Sequence, residues 1–313
     1  MKLLLIGGAG QVGQELRRSL APLGQVVVTT RDGRLPDGAH CESLDLQALD
    51  TIAPLIARLA PDAVVNASAH TAVDRAESEP ALAFRINAEA LARLAAVCAL
   101  RGIPLLHYST DYVFDGSGTR PYREDDATAP TGIYGASKLA GEQAIAACGG
   151  PHLILRTAWV YALHGHNFLR TMLRLAGEGD EVRVVADQVG SPTPAWLIAD
   201  VSAAILQQGL GESGVRHLVA AGATSWHGFA EAIMDEATAR GLIARKPRVV
   251  PITTAEFPTP ATRPAYSVLD CARLQQEYGL VLPPWRDALA TTLAAATSVG
   301  AQAGGNGSGR TLP

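Results

Sequence analysis

The feature that most constrains the fold is the N-terminal segment KLLLIGGAGQVGQELRRSL, residues 2–20. A short apolar run meets a cluster of glycines, and a helical pattern of apolar residues begins directly after them. Gly7, Gly10 and Gly13 stand at G-x-x-G-x-x-G spacing, and Gly8 opens an overlapping G-x-G-x-x-G. Glycines let the backbone approach a pyrophosphate, to which the helix N-terminus offers N–H groups. This context predicts a dinucleotide site, with an ordinary tight turn as the alternative.

The same alternation continues through the first half of the chain. Short apolar runs, among them QVVVTT, DAVVNAS, IPLLHYST and HLILRTA, are separated by longer helical segments. This order predicts a Rossmann-type doubly wound parallel α/β sheet. Proline-rich stretches interrupt the pattern beyond about residue 160. We expect a dinucleotide-binding domain over 1–155, open to completion by later segments, a smaller C-terminal substrate-binding lobe over 156–298, and a disordered Gly-rich tail over 299–313.

Charge, hydropathy and cysteine spacing exclude several classes of function. The net charge is −4 without a long basic run, so nucleic acid is not an expected partner. No stretch approaches the roughly twenty apolar residues of a membrane span, and the first run is too short for a signal peptide. The four cysteines form no CxxC pair, which argues against a disulfide framework or a zinc site. We therefore expect a cytoplasmic protein that binds neither nucleic acid nor membrane.

The residues after QVVVTT bear on the choice of cofactor. Arg31 comes first, and an arginine here would pair with the 2′-phosphate of NADPH. Asp32 follows at once, and an acidic residue here would bind the 2′-hydroxyl of NADH. The pattern favours NADPH and leaves NADH open.

Tyr134 and Lys138 form a Y-x-x-x-K pair in a helical segment. Residues four apart share a helix face, which also suits two solvated side chains. Reduction of a ketone needs an acid at the oxygen, and a tyrosine with a pKa near 10 is a slow proton source. A lysine ammonium one turn away would lower that pKa by about 1–3 units, and it could also hold the nicotinamide ribose. Thr110, at the end of IPLLHYST, could hold the substrate oxygen or simply cap a loop.

Because it combines the glycine turn with the Tyr–Lys pair, the chain resembles the extended short-chain dehydrogenase/reductases. Within that superfamily the chain resembles the dTDP-4-dehydrorhamnose reductase family, through VNASAHTAVDRAESEP, HYSTDYVFDG, YGASKLAGE, LRTAWVY, NFLRTMLRLA, DQVGSPT and FPTPATRP. The resemblance runs from residue 3 to about residue 285. It implies an oxidoreductase in which NADPH, or NADH, reduces the C4 ketone of dTDP-4-dehydro-L-rhamnose to give dTDP-L-rhamnose.

The resemblance also implies roles for residues that match the family's motifs. The catalytic set would be Thr110, Tyr134 and Lys138. The residues expected at the cofactor, with Arg31 added from its charge, are Gly7, Gly10, Gln11, Val12, Gly13, Arg31, Asp45, Leu46, Ala69, His70, Thr71, Tyr108, Tyr134 and Lys138. The residues expected at the substrate are Val73, Thr110, Asp111, Tyr112, Trp159 and Arg263.

Several of these roles have a structural alternative. His70 is expected to contact the cofactor through its backbone rather than as an acid or base. Trp159 would be a flat wall for the sugar or base, or a core tryptophan. Arg263 would pair with the substrate pyrophosphate or remain a solvated surface residue. Tyr266 stands where the family commonly has an asparagine, so this chain departs from the family in a segment expected at the substrate.

The sequence also departs from relatives that share magnesium at a dimer interface. Glu15 is present, but Trp196 occupies the place of a second acid, and the C-terminal helix RDALATTLAAATS lacks a glutamate. We expect no metal site, and the protein could be a monomer or a homodimer.

Three other functions compete with the reductase. A nucleotide-sugar dehydratase or epimerase shares the fold, but a dehydratase needs an acid directly after T-D, where this chain has Tyr112. A non-catalytic cofactor-binding regulatory subunit would have no need of the full catalytic set. A reductase of another nucleotide-linked 4-keto-sugar could share every catalytic residue.

Overall fold

The computed structural model describes the backbone of residues 1–304 and the side chains of residues 1–296. The strands are β1 (Lys2–Ile6), β2 (Gln25–Thr30), β3 (Glu42–Ser43), β4 (Ala63–Asn66), β5 (Leu105–Thr110), β6 (His152–Thr157), β7 (Val160–Tyr161), β8 (Glu181–Val185), β9 (Val189–Gly190), β10 (Thr193–Pro194), β11 (Gly214–His217), β12 (Thr224–Ser225) and β13 (Arg248–Ile252). The helices are α1 (Gln11–Leu20), α2 (Ile52–Leu59), α3 (Val73–Ser78), α4 (Pro80–Phe84), α5 (Ala90–Arg101), α6 (Ile133–Ala147), α7 (Phe168–Glu178), α8 (Ala195–Gln208), α9 (Trp226–Ala239), α10 (Ala272–Tyr278) and α11 (Trp285–Gly304). A π-helical turn, Arg85–Glu89, joins α4 to α5.

Seven strands form one parallel sheet in the order β11-β6-β5-β4-β1-β2-β3. The chain winds outward from β1 in both directions, so the strand order reverses between β1 and β4. Open α/β sheets bind ligands at the carboxyl ends of the strands beside such a reversal. The predicted Rossmann-type doubly wound sheet is confirmed, and β11 shows that a later segment of the chain completes it.

Alternate residues of the central strands supply two separate cores. Leu3 and Leu5 of β1 face one core, together with residues from β5, β6 and several helices of the second half. Leu4 and Ile6 face the other core, which α2 and α5 complete. Because both faces are covered, the central strands are continuous apolar runs rather than alternating ones.

A separate parallel pair, β8–β13, packs against α7 and α9. Helix α8 returns to the main sheet and lies along α1. The tail expected to be disordered starts at residue 299, inside α11, and residues 305–313 lie outside the described part of the chain. Among the described residues, no helix combines the length and the apolar character that crossing a membrane requires.

Candidate active site

The glycine turn between β1 and α1 is shaped for an anion. Gly10 caps α1 in an extended conformation without a side-chain hydrogen bond, and the first helical turn carries no acidic residue. A Cβ on Gly13 would lie 2.1 Å from the Gly7 carbonyl oxygen, so only glycine permits this approach. The N–H groups of Gln11 and Val12 stand in the first turn, where a helix offers them no carbonyl. The turn therefore fits the pyrophosphate of a dinucleotide.

The end of β2 separates the roles of Arg31 and Asp32. The Asp32 carboxylate accepts hydrogen bonds from the Thr30 hydroxyl at 3.0 Å and from the Arg34 amide at 3.2 Å. The Thr30 hydrogen bond is the main cause of its lowered pKa. Arg31 is exposed, and no side-chain hydrogen bond or ion pair engages it within the described residues. Asp32 is hydrogen-bonded within the turn, whereas the Arg31 side chain is exposed beside it.

The other residues expected at the cofactor lie in loops after neighbouring strands. Asp45 and Leu46 follow β3, and Ala69, His70 and Thr71 follow β4. These positions are at the carboxyl edge of the sheet, as a dinucleotide site requires.

Asn87 fixes the backbone of His70. Its amide accepts from the His70 N–H at 2.8 Å and donates to the His70 carbonyl at 3.0 Å. The imidazole is buried, with Nε2 3.8 Å from Glu79. Asn87 therefore holds the loop after β4 through the main chain of His70. The sequence analysis did not identify this supporting residue.

Tyr108 differs from a side chain that faces a cofactor. Its hydroxyl lies 2.7 Å from the Ser202 hydroxyl on α8, and the ring is buried. Only its carbonyl oxygen reaches the site, where it accepts a hydrogen bond from the Lys138 ε-nitrogen at 2.7 Å. Its contribution here is to hold Lys138.

The hydroxyl groups of Thr110 and Tyr134 meet where β5 ends and α6 begins. Thr110 is the last residue of β5, and its hydroxyl donates to the Asp111 carboxylate at 3.0 Å. Tyr134 packs edge-to-face on Tyr112, with ring centroids 5.5 Å apart. A Cβ on Gly135 would lie 2.1 Å from the Tyr112 carbonyl oxygen, so glycine lets α6 approach this closely. Burial raises the pKa of Tyr134 to about 12, against the lowering effect of a hydrogen bond with Thr110.

The Lys138 side chain is held by two partners on β5. Its ε-nitrogen contacts the Tyr108 carbonyl and the His107 Nε2 atom, the latter at 3.1 Å. The raised pKa of Tyr134 has burial as its largest cause, and the charge of Asp111 raises it further. The charge of Lys138 is not among the causes of this shift, and the expected lowering of the Tyr134 pKa by Lys138 stays a prediction.

Asp111 is a buried carboxyl group beside the two hydroxyls. It is 2 % exposed, and its Oδ2 atom has no hydrogen-bond partner among the described residues. Burial raises its pKa to about 6, although hydrogen bonds with Ser267 and Thr110 oppose the change.

An ion pair behind Lys138 was not predicted. Glu142, one helical turn after Lys138, binds the Arg156 guanidinium at 2.9 and 2.6 Å, and both side chains are about 95 % buried. The i, i+4 spacing from Lys138 was visible in the sequence. The partner on β6 was not, because only the packing of α6 on β6 brings the Arg156 side chain to Glu142.

Arg263 is not a free cation. Its guanidinium binds both carboxylate oxygens of Asp74, at 3.0 and 2.9 Å, and also donates to the Thr259 hydroxyl at 2.8 Å. Asp74 follows Val73 at the start of α3, so the pair joins this helix to the C-terminal part of the chain. The expected pyrophosphate contact would have to compete with this ion pair.

Trp159 lies in a stack of aromatic rings. It faces Trp226 with centroids 3.5 Å apart and planes 5° from parallel, and it adopts a φ of 49°. Gly190 makes room for its indole, since a Cβ there would lie 2.5 Å from the ring. The residue is half-buried, so both the wall and the core interpretation describe part of its surroundings.

Glu15 is engaged within its own chain. Its carboxylate lies 3.0 Å from the His164 Nε2 atom and 3.5 Å from Arg18. The described residues contain no cluster of three or more His, Cys, Asp or Glu side chains that could hold a metal ion.

A doubly wound parallel sheet, a glycine cradle and a Thr–Tyr–Lys set on β5 and α6 define an extended short-chain dehydrogenase/reductase. The chain matches the family described as RmlD substrate binding domain over residues 1–298. It is 49 % identical over 300 residues to the dTDP-4-dehydrorhamnose reductase of Burkholderia thailandensis, covering 92 % of this chain and 97 % of the relative. It is 44 % identical over 289 residues to that of Escherichia coli strain K12, covering 91 % and 95 %.

The same similarity extends to three dimensions. A crystal structure of dTDP-4-dehydrorhamnose reductase from Bacillus anthracis, in complex with NADP, superimposes with a TM-score of 0.85 at 32 % identity, covering 94 % of this chain and 99 % of the other. This chain belongs to the RmlD substrate-binding-domain family.

Proposed function

We propose that this protein is a dTDP-4-dehydrorhamnose reductase that reduces the C4 ketone of dTDP-4-dehydro-L-rhamnose to dTDP-L-rhamnose with NADPH. The observation that carries the proposal is the convergence of Thr110, Tyr134 and Lys138 beside a glycine turn that fits a pyrophosphate. The identity of the sugar is inferred from the names of the relatives, and the reaction class is inferred from the residues of the site.

NADPH, when bound, supplies the hydride; the chain supplies the proton and the geometry. Tyr134 is the proton donor, because its hydroxyl meets that of Thr110 where β5 ends and α6 begins, and because burial raises its pKa to about 12 so that it carries a proton at neutral pH. Thr110 and Asp111 orient the substrate through their hydroxyl and carboxyl groups, which are already joined to each other at 3.0 Å. Arg31 binds the 2′-phosphate and gives NADPH its advantage over NADH.

Elimination or epimerisation fits this site less well. Tyr112 stands where a dehydratase would have its acid–base residue, and burial raises the pKa of this phenol above its ordinary value. A phenol with a raised pKa is a poor base at neutral pH. The site is therefore suited to donate a proton and release a reduced product.

The remaining assignments complete the proposal. Residues 1–155 with β11 hold the cofactor, and residues 156–298 provide most of the substrate lobe. Trp159 from this lobe and Val73 from α3 line the sugar side. The four cysteines are all unpaired thiols, which supports a cytoplasmic location. The protein acts on a small nucleotide sugar as a monomer or homodimer, without nucleic acid.

The test is the decrease in NADPH absorbance on mixing the protein with dTDP-4-dehydro-L-rhamnose. Tyr134→Phe should lower kcat by roughly a hundredfold or more while NADPH still binds. Tyr161→Phe, which removes the same oxygen from a buried tyrosine of the second lobe, should leave kcat unchanged. Tight NADPH binding by the wild type without turnover of this sugar would refute the proposal and favour a regulatory subunit or another 4-keto-sugar.

A further inference from the structure

Helix α6, which carries Tyr134 as its second residue, begins without a capping side chain of its own. The N-cap residue is Gly132, and the first turn of the helix contains no acidic residue. A helix leaves its first N–H groups without carbonyl partners, and an N-cap Ser, Thr, Asp or Asn usually accepts a hydrogen bond from one of them. An acceptor for the start of α6 must therefore come from another part of the chain.

That acceptor is Glu77 on α3. Its carboxylate oxygen Oε1 accepts a hydrogen bond from the Ile133 N–H at 2.8 Å, although the two residues are 56 positions apart. The contact is partly buried. A carboxylate bonded to an N–H group is a strong acceptor, and its negative charge also faces the positive end of the helix dipole. Glu77 thus caps α6 from outside the helix.

Gly132 is complementary to this contact. A Cβ on Gly132 would lie 2.8 Å from Glu77 Oε1. Apart from its own chain neighbours and the backbone of α6, no other described residue would come within 4 Å of that Cβ. The backbone of Gly132 is extended, with a φ of −144°, which any residue can adopt. The glycine therefore serves to leave room for the Glu77 carboxylate.

Helix α3 is itself anchored, so it presents Glu77 from a fixed position. Asp74 binds the Arg263 guanidinium at 3.0 and 2.9 Å and accepts a hydrogen bond from the Ala261 N–H at 3.2 Å. Ala76, next to Glu77, is fully buried. A side chain on an anchored element can hold a neighbouring group more precisely than one on a free loop.

The next turn of α6 has other supports. The Ser137 hydroxyl accepts a hydrogen bond from Asn87 Nδ2 at 3.0 Å and donates to the Tyr134 carbonyl at 2.8 Å. The Lys138 ε-nitrogen donates to the Tyr108 carbonyl on β5. Loss of the Glu77 contact should therefore loosen the first turn of α6 and leave the rest of the helix in place.

We infer that Glu77 is a positioning residue for the reaction. By holding the Ile133 N–H, it fixes the first turn of α6 and the direction in which Tyr134 presents its hydroxyl to Thr110. The inference rests on the proposed function for the role of Tyr134 as proton donor. A displacement of a catalytic group by about 1 Å can lower a rate about a hundredfold, so a cap at this position affects the chemistry through the backbone alone.

Kinetics and NADPH binding of three full-length variants test this role. Glu77→Ala removes the acceptor, so kcat should fall at least about tenfold, whereas the Kd for NADPH should change less than about twofold because the glycine turn is untouched. Glu77→Gln keeps an oxygen within reach of the Ile133 N–H without the charge, and its kcat should stay within about twofold of the wild type. Glu77→Asp keeps the charge but shortens the side chain, so its kcat should fall at least about fivefold.

Glu124→Ala is the matched control. The Glu124 carboxylate accepts a hydrogen bond from the His217 N–H at 3.0 Å, and this contact is also partly buried and joins distant segments. It holds the end of β11 rather than the start of α6, so its loss should leave kcat unchanged.

A rescue variant separates the cap from a general loss of stability. In the Glu77→Ala background, Gly132→Ser gives α6 an N-cap hydroxyl of its own, which can accept from the N–H of Tyr134 or Gly135. With the carboxylate removed, there is room for the new side chain. The double variant Glu77→Ala/Gly132→Ser should therefore recover most of the kcat that Glu77→Ala loses.

The position of Tyr134 can also be measured without turnover, by NMR of the protein with ¹³C at the tyrosine Cζ atoms. The chain contains seven tyrosines, and Tyr134→Phe assigns the signal of Tyr134. This signal should shift or broaden in Glu77→Ala and stay close to its wild-type position in Glu77→Gln and Glu124→Ala. That result would support the positioning of Tyr134 by Glu77 even if the wild type proved inactive on the proposed sugar.

Three results would overturn the inference. The first is a Glu77→Ala protein with the kcat of the wild type. The second is a Glu77→Asp protein that keeps its kcat while Glu77→Gln loses activity, because charge rather than the hydrogen bond would then be responsible. The third is a Tyr134 signal that does not move in Glu77→Ala. The comparison of Glu77→Gln with Glu77→Asp decides the question even if Glu77→Ala fails to fold.

Discussion

Glu142→Gln tests whether the buried ion pair behind Lys138 supports the fold. The exposed fractions of the Arg156 and Glu142 side chains are 4 % and 5 %, and two hydrogen bonds of 2.9 and 2.6 Å join them. Arg156 Nη1 has no other partner among the described residues, and the guanidinium lies 5.1 Å from the Phe114 ring centre. Neutralising Glu142 therefore leaves a cation in a largely apolar environment.

The expected cost follows from that burial. Removal of one partner from a buried pair lowers the free energy of unfolding by about 3–5 kcal/mol, because the remaining charge is uncompensated. With a urea m-value of about 3 kcal/mol/M or more for a chain of this length, the unfolding midpoint should fall by about 1 M. The double variant Glu142→Leu/Arg156→Met should recover most of the loss, since it leaves no buried charge.

The assay is urea unfolding followed by tryptophan fluorescence, with Glu178→Gln as the matched control. Glu178 makes the same kind of pair with Arg174 at 2.7 Å, but both side chains are more than half exposed. An exposed pair contributes less than about 1 kcal/mol, so the control midpoint should hardly move. Equal losses of stability for Glu142→Gln and Glu178→Gln would refute the reasoning. So would a Glu142→Leu/Arg156→Met protein that is less stable than Glu142→Gln.

Three further changes test the cofactor cradle and the substrate side of the site. Gly13→Ala places a Cβ 2.1 Å from the Gly7 carbonyl oxygen, so NADPH affinity measured by fluorescence titration should fall at least about tenfold; unchanged affinity would show that the turn does not hold the pyrophosphate. Arg31→Ala should weaken NADPH about tenfold and leave NADH unaffected, whereas equal losses for both would remove Arg31 from the 2′-phosphate site. Burial raises the pKa of Asp111 to about 6 from 3.8, so the folded state holds this proton more tightly than the unfolded chain does. That stabilisation is complete below about pH 4 and is lost as the pH rises through 6, so the wild type should lose up to about 3 kcal/mol of its free energy of unfolding between pH 4 and 7. In urea unfolding, Asp111→Asn should abolish this loss. The same pH dependence in the wild type and the variant would contradict the assignment.

The sequence predicted the fold because each local pattern pointed to the same architecture. Apolar runs separated by helical segments require a parallel sheet covered on both faces, and β1 with its glycine turn has that form. The role of Gly13 in the close approach of the backbone could be recognised because it depends only on neighbouring residues of the same glycine turn. The roles of Thr110 and Tyr134 were expected for a related reason, as each ends or begins an element that the pattern had already located.

Local sequence could not reveal contacts between distant segments. Arg263 was expected to be available to a pyrophosphate, but its partner Asp74 lies 189 residues away along the chain. The Trp226 partner of Trp159 was unseen for the same reason. The Arg156 partner of Glu142 is only 14 residues away, but the pair depends on how α6 packs on β6.

The sequence by itself predicted which groups the proposed chemistry would use: a glycine turn, two hydroxyls and a lysine on elements whose ends meet at one edge of a sheet. Only the tertiary structure decided the state of those groups. The Y-x-x-x-K spacing brings Lys138 within one turn of Tyr134, but burial against β5 directs the lysine to His107 and the Tyr108 carbonyl. Spacing sets which residues can meet, whereas protonation depends on desolvation and on partners from other strands, which exist only once the chain has folded.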